Sequence, residues 1–222
     1  MDESRLKEKA AVKAIPYVPK EGFVGIGTGS TVKFLIKLLV EESRKYSDVT
    51  FVPTSLETMY LLNSGGLRTS TEFHGSIAID IDGADEIDPN GNLIKGGGAA
   101  LTREKIVAAN SQKLIIIADQ SKLVNKLGKF KVPVEILPFL AEQTIQNIEN
   151  KGCKVTLRPD NKSKSDNGNI VIDSDFGLID NVQDIQTKLK MIPGVVEVGI
   201  FHGMTWKTIV GKNSGVEEIN YK

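Results

Sequence analysis

Hydrophobic positions along the 222-residue chain follow two spacings. Leu6, Ala10 and Ala14 recur every fourth residue within residues 2–15, which predicts a helix capped by Asp2 or Ser4 and stopped by Pro16. Phe23-Val24-Gly25-Ile26 is a short apolar run of strand type. The turn residues Gly27–Thr31 follow it, and residues 30–46 then read as an amphipathic helix with Phe34, Leu35, Leu38 and Leu39 inward. Further strands are predicted over 49–52, 76–81 and 113–118, with helices over 55–63 and 99–110. These strands are near-continuously apolar and do not alternate, the signature of a mostly parallel sheet covered by helices on both faces. In such a Rossmann-like α/β sheet, ligands sit beyond the carboxyl ends of the strands. The loops that follow residues 26, 81 and 118 should therefore share one edge.

From about Phe130 the texture changes. Strands over 134–137, 154–157, 170–173 and 195–201 and helices over 139–151 and 182–191 follow the order βαββαβ, that of a ferredoxin-like α+β module. Residues 160–169, DNKSKSDNGN, hold no apolar side chain and are expected to form a solvated, mobile hairpin connection. Residues 205–211 are expected to return to the first sheet. The predicted organisation is an α/β catalytic domain, 1–129 with 205–222, carrying a smaller ferredoxin-like domain, 130–204, inserted near the C-terminus.

Composition narrows the class. With 40% hydrophobic and 25% charged residues, the chain is ordinary for a globular protein. Lys plus Arg and Asp plus Glu number 28 each, and no basic stripe stands out, which argues against a nucleic-acid partner. Cys153 is the single cysteine, so no disulfide framework can form within the chain, as suits a reducing compartment. No apolar run approaches the roughly 20 residues of a bilayer span, and the charged start MDESRLKEKA lacks a signal core. A cytoplasmic protein with no membrane partner is expected.

Candidate chemistry lies in two places. Gly27-Thr28-Gly29-Ser30-Thr31, a tight turn between strand and helix, presents backbone N–H groups and the positive end of a helix dipole, suiting a phosphate or polyol. It is neither the dinucleotide fingerprint nor a Walker A loop. It also reads as a plain βα turn with Ser30 as N-cap. The second place is residues 79–105, IDIDGADEIDPNGNLIKGGGAALTREK, with carboxylates at Asp80, Asp82, Asp85, Glu86, Asp88 and Glu104, three successive glycines and the cations Lys95 and Arg103. Small residues between Asp82 and Asp85 let two carboxylates share a pocket, which favours a raised pKa on one of them. Lys95 suits a developing oxyanion, and a carboxylate on the following helix, Glu104, suits a general base. A base, a cation, carboxylates for hydroxyls and amides for phosphate together fit proton abstraction α to a carbonyl on a phosphorylated sugar.

Rival readings remain at this level. A solvated surface turn is one. A calcium loop fails, since counting from Asp80 puts Asp85 at the glycine position and Gly91 at the glutamate position. Asp80-Ile81-Asp82-Gly83 after an apolar strand is similar to the haloacid dehalogenase-like phosphatases, with Asp80 as nucleophile, Asp82 as acid and Mg²⁺ required, although Ala84 departs from that pattern. A non-catalytic sugar-phosphate sensor is a third reading. His74 and His202 lack partners at ligand spacing and are read as structural or solvated, and Lys7 as part of a solvated helix face.

GIGTGST at 25–31, DGADEID at 82–88 and KGGGAALTREK at 95–105, in that order, closely resemble type A ribose-5-phosphate isomerase, and the resemblance runs essentially end to end. It implies an aldose–ketose isomerase of the non-oxidative pentose phosphate pathway, interconverting ribose 5-phosphate and ribulose 5-phosphate through an enediol with no metal and no organic cofactor. It implies Glu104 as the base, with Asp82, Asp85 and Lys95 assisting ring opening and stabilising the enediolate. It implies substrate-binding segments at Thr28, Gly29, Ser30 and Thr31, at Asp82, Gly83, Ala84 and Asp85, and at Lys95, Gly96, Gly97 and Gly98, with Lys122 as a further substrate lysine. Around Lys122 the chain reads Asp119-Gln120-Ser121-Lys122, with Gln120 where the family pattern has glutamate. The family forms homodimers or dimers of dimers.

Overall fold

A computed structural model describes residues 2–72, 74–159 and 163–221. The chain forms two compact units: Met1–Gly83 with Arg103–Lys122 and Met204–Lys222, and Ala84–Thr102 with Leu123–Gly203. Residues 84–102 and 123–129, which sequence pattern groups with the larger domain, fold with the smaller unit. Among the described residues no helix is long and apolar enough to cross a membrane.

The first unit is built on a six-stranded sheet of β1 (Glu21–Ile26), β2 (Asp48–Pro53), β3 (Ile77–Asp82), β6 (Leu114–Asp119), β12 (Thr205–Lys212) and β13 (Gly215–Asn220). The order is β13-β12-β6-β3-β1-β2. Neighbours are parallel except the β12–β13 hairpin, so residues 205–211 do return to this sheet. One face is covered by α1 (Glu3–Ala14), α2 (Ser30–Glu41) and α3 (Leu56–Ser64). Ala10, Ala14, Leu35, Leu39 and Leu62 pack there against Val24, Ile26, Ile79, Ile81, Ile115 and Ile117. The opposite face carries α4 (Leu101–Ala109), whose Val107 packs with Phe23, Val52 and Ile77.

Helix α2 differs from its prediction. It ends at Glu41, a separate 3₁₀ turn spans Ser43–Tyr46, and its buried stripe is Val32, Leu35, Ile36 and Leu39. Phe34 and Leu38 lie at the margin of the core. The i, i+3, i+4, i+7 spacing of the observed stripe is the better helical match.

In the second unit β7 (Val132–Ile136), α5 (Ala141–Glu149), β8 (Lys154–Leu157), β9 (Ile170–Asp175), α6 (Val182–Lys190) and β10 (Val195–Val198) realise the βαββαβ order. Their antiparallel sheet runs β10-β7-β9-β8, the ferredoxin-like arrangement. A small sheet consists of β4 (Glu86–Ile87), β5 (Leu93–Ile94) and β11 (Ile200–Phe201), with the turn-type sequence Asp88-Pro89-Asn90-Gly91 at the tip of the β4–β5 hairpin. The predicted single strand over 195–201 is therefore two strands in different sheets, broken at Gly199. A Cβ there would lie 2.3 Å from the Lys95 carbonyl oxygen and 2.8 Å from Pro133 Cδ, so only glycine passes this crossing. The Gly199 amide donates to the Pro133 carbonyl at 2.6 Å, and its own carbonyl accepts the Lys95 amide at 2.8 Å.

The polar connection after β8 departs from expectation in part. Asp160, Asn161 and Lys162 lie outside the described residues. The rest joins antiparallel strands with Lys164, Asp166, Asn167 and Gly168 exposed as expected, but Ser165 is buried and the segment closes over Glu135, whose side chain is fully buried on β7. Ser165 Oγ, Asn169 Nδ2 and Asn167 Nδ2 donate to Glu135 Oε1 at 2.7, 2.8 and 3.2 Å, and Thr102 Oγ1 donates to Oε2 at 2.5 Å. A buried carboxylate is stable only when its lone pairs are met, and the polarity of 163–169 meets them.

Two predictions follow from these contacts. Glu135→Ala leaves four donors, Ser165 among them buried, without their acceptor and should lower unfolding free energy by roughly 3 kcal/mol. Urea denaturation checks this, alongside faster amide exchange at residues 165–171. The second concerns Glu218 on β13. The Lys207 ammonium, with the Tyr17 hydroxyl and Lys13, holds the Glu218 carboxyl down at about 2. A depressed carboxylate stabilises the fold above its unfolded value and loses that contribution as pH falls toward its folded value. The gap in melting temperature between wild type and Glu218→Gln should thus be full at neutral pH and narrow between 4.5 and about 2. A gap independent of pH would refute the assignment.

Candidate active site

In the first unit the carboxyl ends of β1, β3 and β6 carry the residues singled out by pattern. Asp82 closes β3 and is buried. Its Oδ1 accepts the amide of Gly83 at 2.6 Å and that of Thr28 at 3.1 Å. This contact dictates Gly27: a Cβ there would fall 1.8 Å from Asp82 Oδ1. The Thr28 hydroxyl lies within 2.8 Å of both Thr54 Oγ1 and Ser55 Oγ, and Thr58 Oγ1 donates to the Gly27 carbonyl at 2.7 Å. The hydroxyls of the β2–α3 junction and of α3 thereby anchor the loop from behind. Gly29 is the N-cap of α2 and makes no side-chain cap bond; Ser30, which the sequence offers as cap, is the first helical residue and exposed, with Thr31 buried behind it. The α2 terminus thus keeps the uncapped amides that suit an anion.

Glu104 lies in the first turn of α4 and is only 4% exposed. Val107, one turn later on the same face, sits over the sheet at Gly25 and Asp80, where a Cβ on Gly25 would come within 2.6 Å of Val107 Cγ1 and 2.7 Å of Asp80 Oδ1. Gly27 and Asp82 lie two residues nearer the carboxyl ends of the same strands. Helix α4 starts at that end and runs back toward the start of β6, so Glu104 lies on the Asp82 side of Val107. At the end of β6, Asp119 Oδ1 accepts the Ser121 amide at 2.9 Å, shaping the 3₁₀ turn Gln120–Lys122 that presents Lys122. Gln120 Oε1 accepts the Asn213 amide at 3.2 Å, tying this turn to the β12–β13 hairpin. A carbonyl oxygen suffices there, so glutamine serves. Lys7, set aside by sequence reading, has a side chain only 13% exposed and paired with Glu3 at 2.5 Å. Its neighbour Leu6 lies against Gly211, which is in register with Asp119, so Lys7 shares the end of the sheet that holds Lys122.

In the second unit the β4–β5 hairpin places the other set. The Asp85 amide donates to the Ile94 carbonyl at 2.8 Å, and Asp85 Oδ2 accepts the Gly97 amide at 2.8 Å. Lys95 is 2% exposed, with Nζ 5.4 Å from the centroid of Phe201. The hairpin thereby gathers Asp85, Lys95 and Gly97, with Ala84 and Gly96 adjoining and Gly98 exposed at the tip. Ala99, which closes the loop, has φ of 63°, a left-handed conformation costly for a residue with a Cβ. Glu86 accepts the Gly128 and Phe130 amides at 2.8 and 2.7 Å, and Asp88 accepts those of Asn90 and Asn92, both at 2.8 Å. His202 Nδ1 lies 2.8 Å from Asn92 Oδ1, a structural contact. Among the described residues no group of three or more His, Cys, Asp or Glu side chains is placed to hold a metal ion.

Comparison with known proteins places the chain by sequence and by fold. The model of the family described as ribose 5-phosphate isomerase A (phosphoriboisomerase A) matches residues 50–215. A ribose-5-phosphate isomerase A from Picrophilus torridus is 45% identical over 216 residues, 97% of this chain and 98% of its own length. One from Bacillus mycoides is 44% identical over 217 residues, 96% and 98%. A solved ribose 5-phosphate isomerase from Plasmodium falciparum superposes with a TM-score of 0.93 at 40% identity, covering 99% of each chain. A D-ribose-5-phosphate isomerase solved in complex with phospho-erythronic acid superposes at 0.94 with 38% identity, covering 99% of this chain and 100% of that one. By sequence over nearly its whole length and by fold, the chain belongs to the ribose 5-phosphate isomerase A family, a family of isomerases.

Proposed function

We propose that the protein interconverts D-ribose 5-phosphate and D-ribulose 5-phosphate through an enediolate, with Glu104 as the base and no metal taking part. The observation that carries the reading is the burial of Glu104 in the first turn of α4, at the sheet end where Asp82 and uncapped helix amides also lie. A carboxylate is not placed there by packing needs, and relatives named for this isomerisation share the chain's whole length.

The chemistry proceeds in three stages. Asp82 and Asp85 assist ring opening, in which the C1 hydroxyl loses its proton, the ring oxygen gains one and the bond between C1 and that oxygen breaks. The Glu104 carboxylate then takes the proton from C2. The electron pair forms the C1–C2 double bond, and negative charge develops on the C1 oxygen, where the Lys95 ammonium stabilises it. Transfer of the O2 proton to O1 and return of the carbon-bound proton from Glu104 to C1 complete the ketose. Thr28, Gly29, Ser30 and Thr31 hold substrate through amides and hydroxyls, Gly83, Ala84, Gly96, Gly97 and Gly98 let backbone approach it, and Lys122 supplies a further cation. The same resemblance extends the reading to a homodimer or homotetramer in the cytoplasm.

A phosphatase built on Asp80 is disfavoured by that residue's burial beneath α4, since a nucleophile must reach phosphorus. Two measurements test the proposal. Glu104→Gln should keep the melting temperature near wild type and lower kcat for ribose 5-phosphate by ~10²–10⁴, the usual worth of a general base. Near-normal turnover would remove Glu104 from the mechanism. Exhaustive EDTA treatment should leave ketose formation unchanged, whereas activity lost with EDTA, restored by Mg²⁺ and accompanied by free phosphate would establish the phosphatase instead.

A further inference from the structure

Arg158, at the end of β8, is a cation whose side chain is only 5% exposed. Two of its nitrogens grip one carboxylate: Nε donates to Asp173 Oδ2 at 3.0 Å and Nη2 to Asp173 Oδ1 at 2.5 Å. This fork alone would satisfy an ion pair between neighbouring strands. The third nitrogen is directed elsewhere. Nη1 donates at 2.8 Å to the carbonyl of Gly96, 62 positions away in sequence and first in the glycine run that follows Lys95. The same carbonyl accepts the Ala99 amide at 3.0 Å, which closes the turn that holds Ala99 at positive φ. On its other side the run is tied by the Gly97 amide to Asp85. A loop of three glycines has large conformational freedom, and a strained residue such as Ala99 persists only where its surroundings over-determine it.

We propose that Arg158 is a positioning residue for the isomerase reaction: oriented by Asp173, its guanidinium fixes the Gly96 carbonyl and so aims the Gly96–Gly98 backbone and Lys95 at the sugar phosphate. It touches the loop and not the substrate. This explains why arginine stands at the site: lysine has no fork to grip both Asp173 oxygens while a third donor reaches the carbonyl. The inference rests on the proposed assignment of Gly96–Gly98 to substrate binding.

The test compares Arg158→Met and Arg158→Lys with Glu104→Gln, each assayed with ribose 5-phosphate at equal distance below its own melting temperature. Arg158→Met should raise KM about tenfold and lower kcat/KM by about 10²-fold, the scale of misplacing a reacting group by an ångström. Amide exchange in residues 96–101 should quicken while that of β1 and β3 stays unchanged. Arg158→Lys, which restores one donor, should fall between the two. Loss of folded protein lowers kcat and leaves KM alone. An unchanged KM for both Arg158 variants, or an equal rise in KM in the core-cavity control Ile172→Ala, therefore overturns the proposal and leaves Arg158 a structural residue. If Glu104→Gln is inactive while Arg158→Met is normal, only this inference fails; if Glu104→Gln turns over normally, the mechanism beneath it fails first.

Discussion

A carboxylate buried at the end of a strand must find hydrogen-bond donors, and in this protein it finds them in irregular backbone. Asp82 draws in the amides of Thr28 and Gly83, and that one contact sets much of the first unit's working edge. It forbids a side chain at Gly27 and fixes the turn before α2, whose N-cap Gly29 makes no side-chain cap bond. The hydroxyls of Thr54, Ser55 and Thr58 complete the loop from the core side. Hydrogen bonds to these amides and hydroxyls are what let polar groups be buried there, since an unmet polar group in a low-dielectric interior is costly.

The second unit repeats the device. Asp85 holds the Gly97 amide, Glu86 the amides of residues 128 and 130, and Asp88 those of its own turn. Glu135 draws the polar connection after β8 onto itself. The carboxylate density of residues 79–105 thus has two origins. Glu86 and Asp88 fasten backbone away from the proposed chemistry, whereas Asp82 and Asp85 fasten backbone within the segments where, with Glu104, substrate chemistry is proposed. Fastening matters to that chemistry, because glycine-rich segments that approach a ligand closely have no side chains of their own to hold them still.

Much of this was legible in order along the chain. Near-continuous apolar runs such as LIIIA at 114–118, rich in β-branched residues, read as strands covered on both faces, and the parallel sheet followed. The βαββαβ order gave the second sheet, whose antiparallel strand sequence the structure matches. Three motifs in order identified the family. Less legible were features that depend on partners distant in sequence. Two-residue strands such as β4 and β5 carry no periodicity to read, and the break at Gly199 is visible only beside the Lys95 carbonyl that forces it. The segment 163–169 is largely exposed as its polarity suggests, but polarity in sequence does not show that Ser165 and Asn169 face a buried carboxylate.

The sequence by itself determined the class of fold, the family and the identity of the residues that carry charge near glycine, since these rest on local pattern and residue type. Tertiary structure alone decided which carboxylates hold backbone, that residues 84–102 fold with the smaller unit, and that Arg158 reaches Gly96. The physical reason is that a hydrogen bond acts over about 3 Å in space regardless of separation along the chain. A pattern of residues fixes what each group can donate or accept, and only the folded chain fixes which partner it meets.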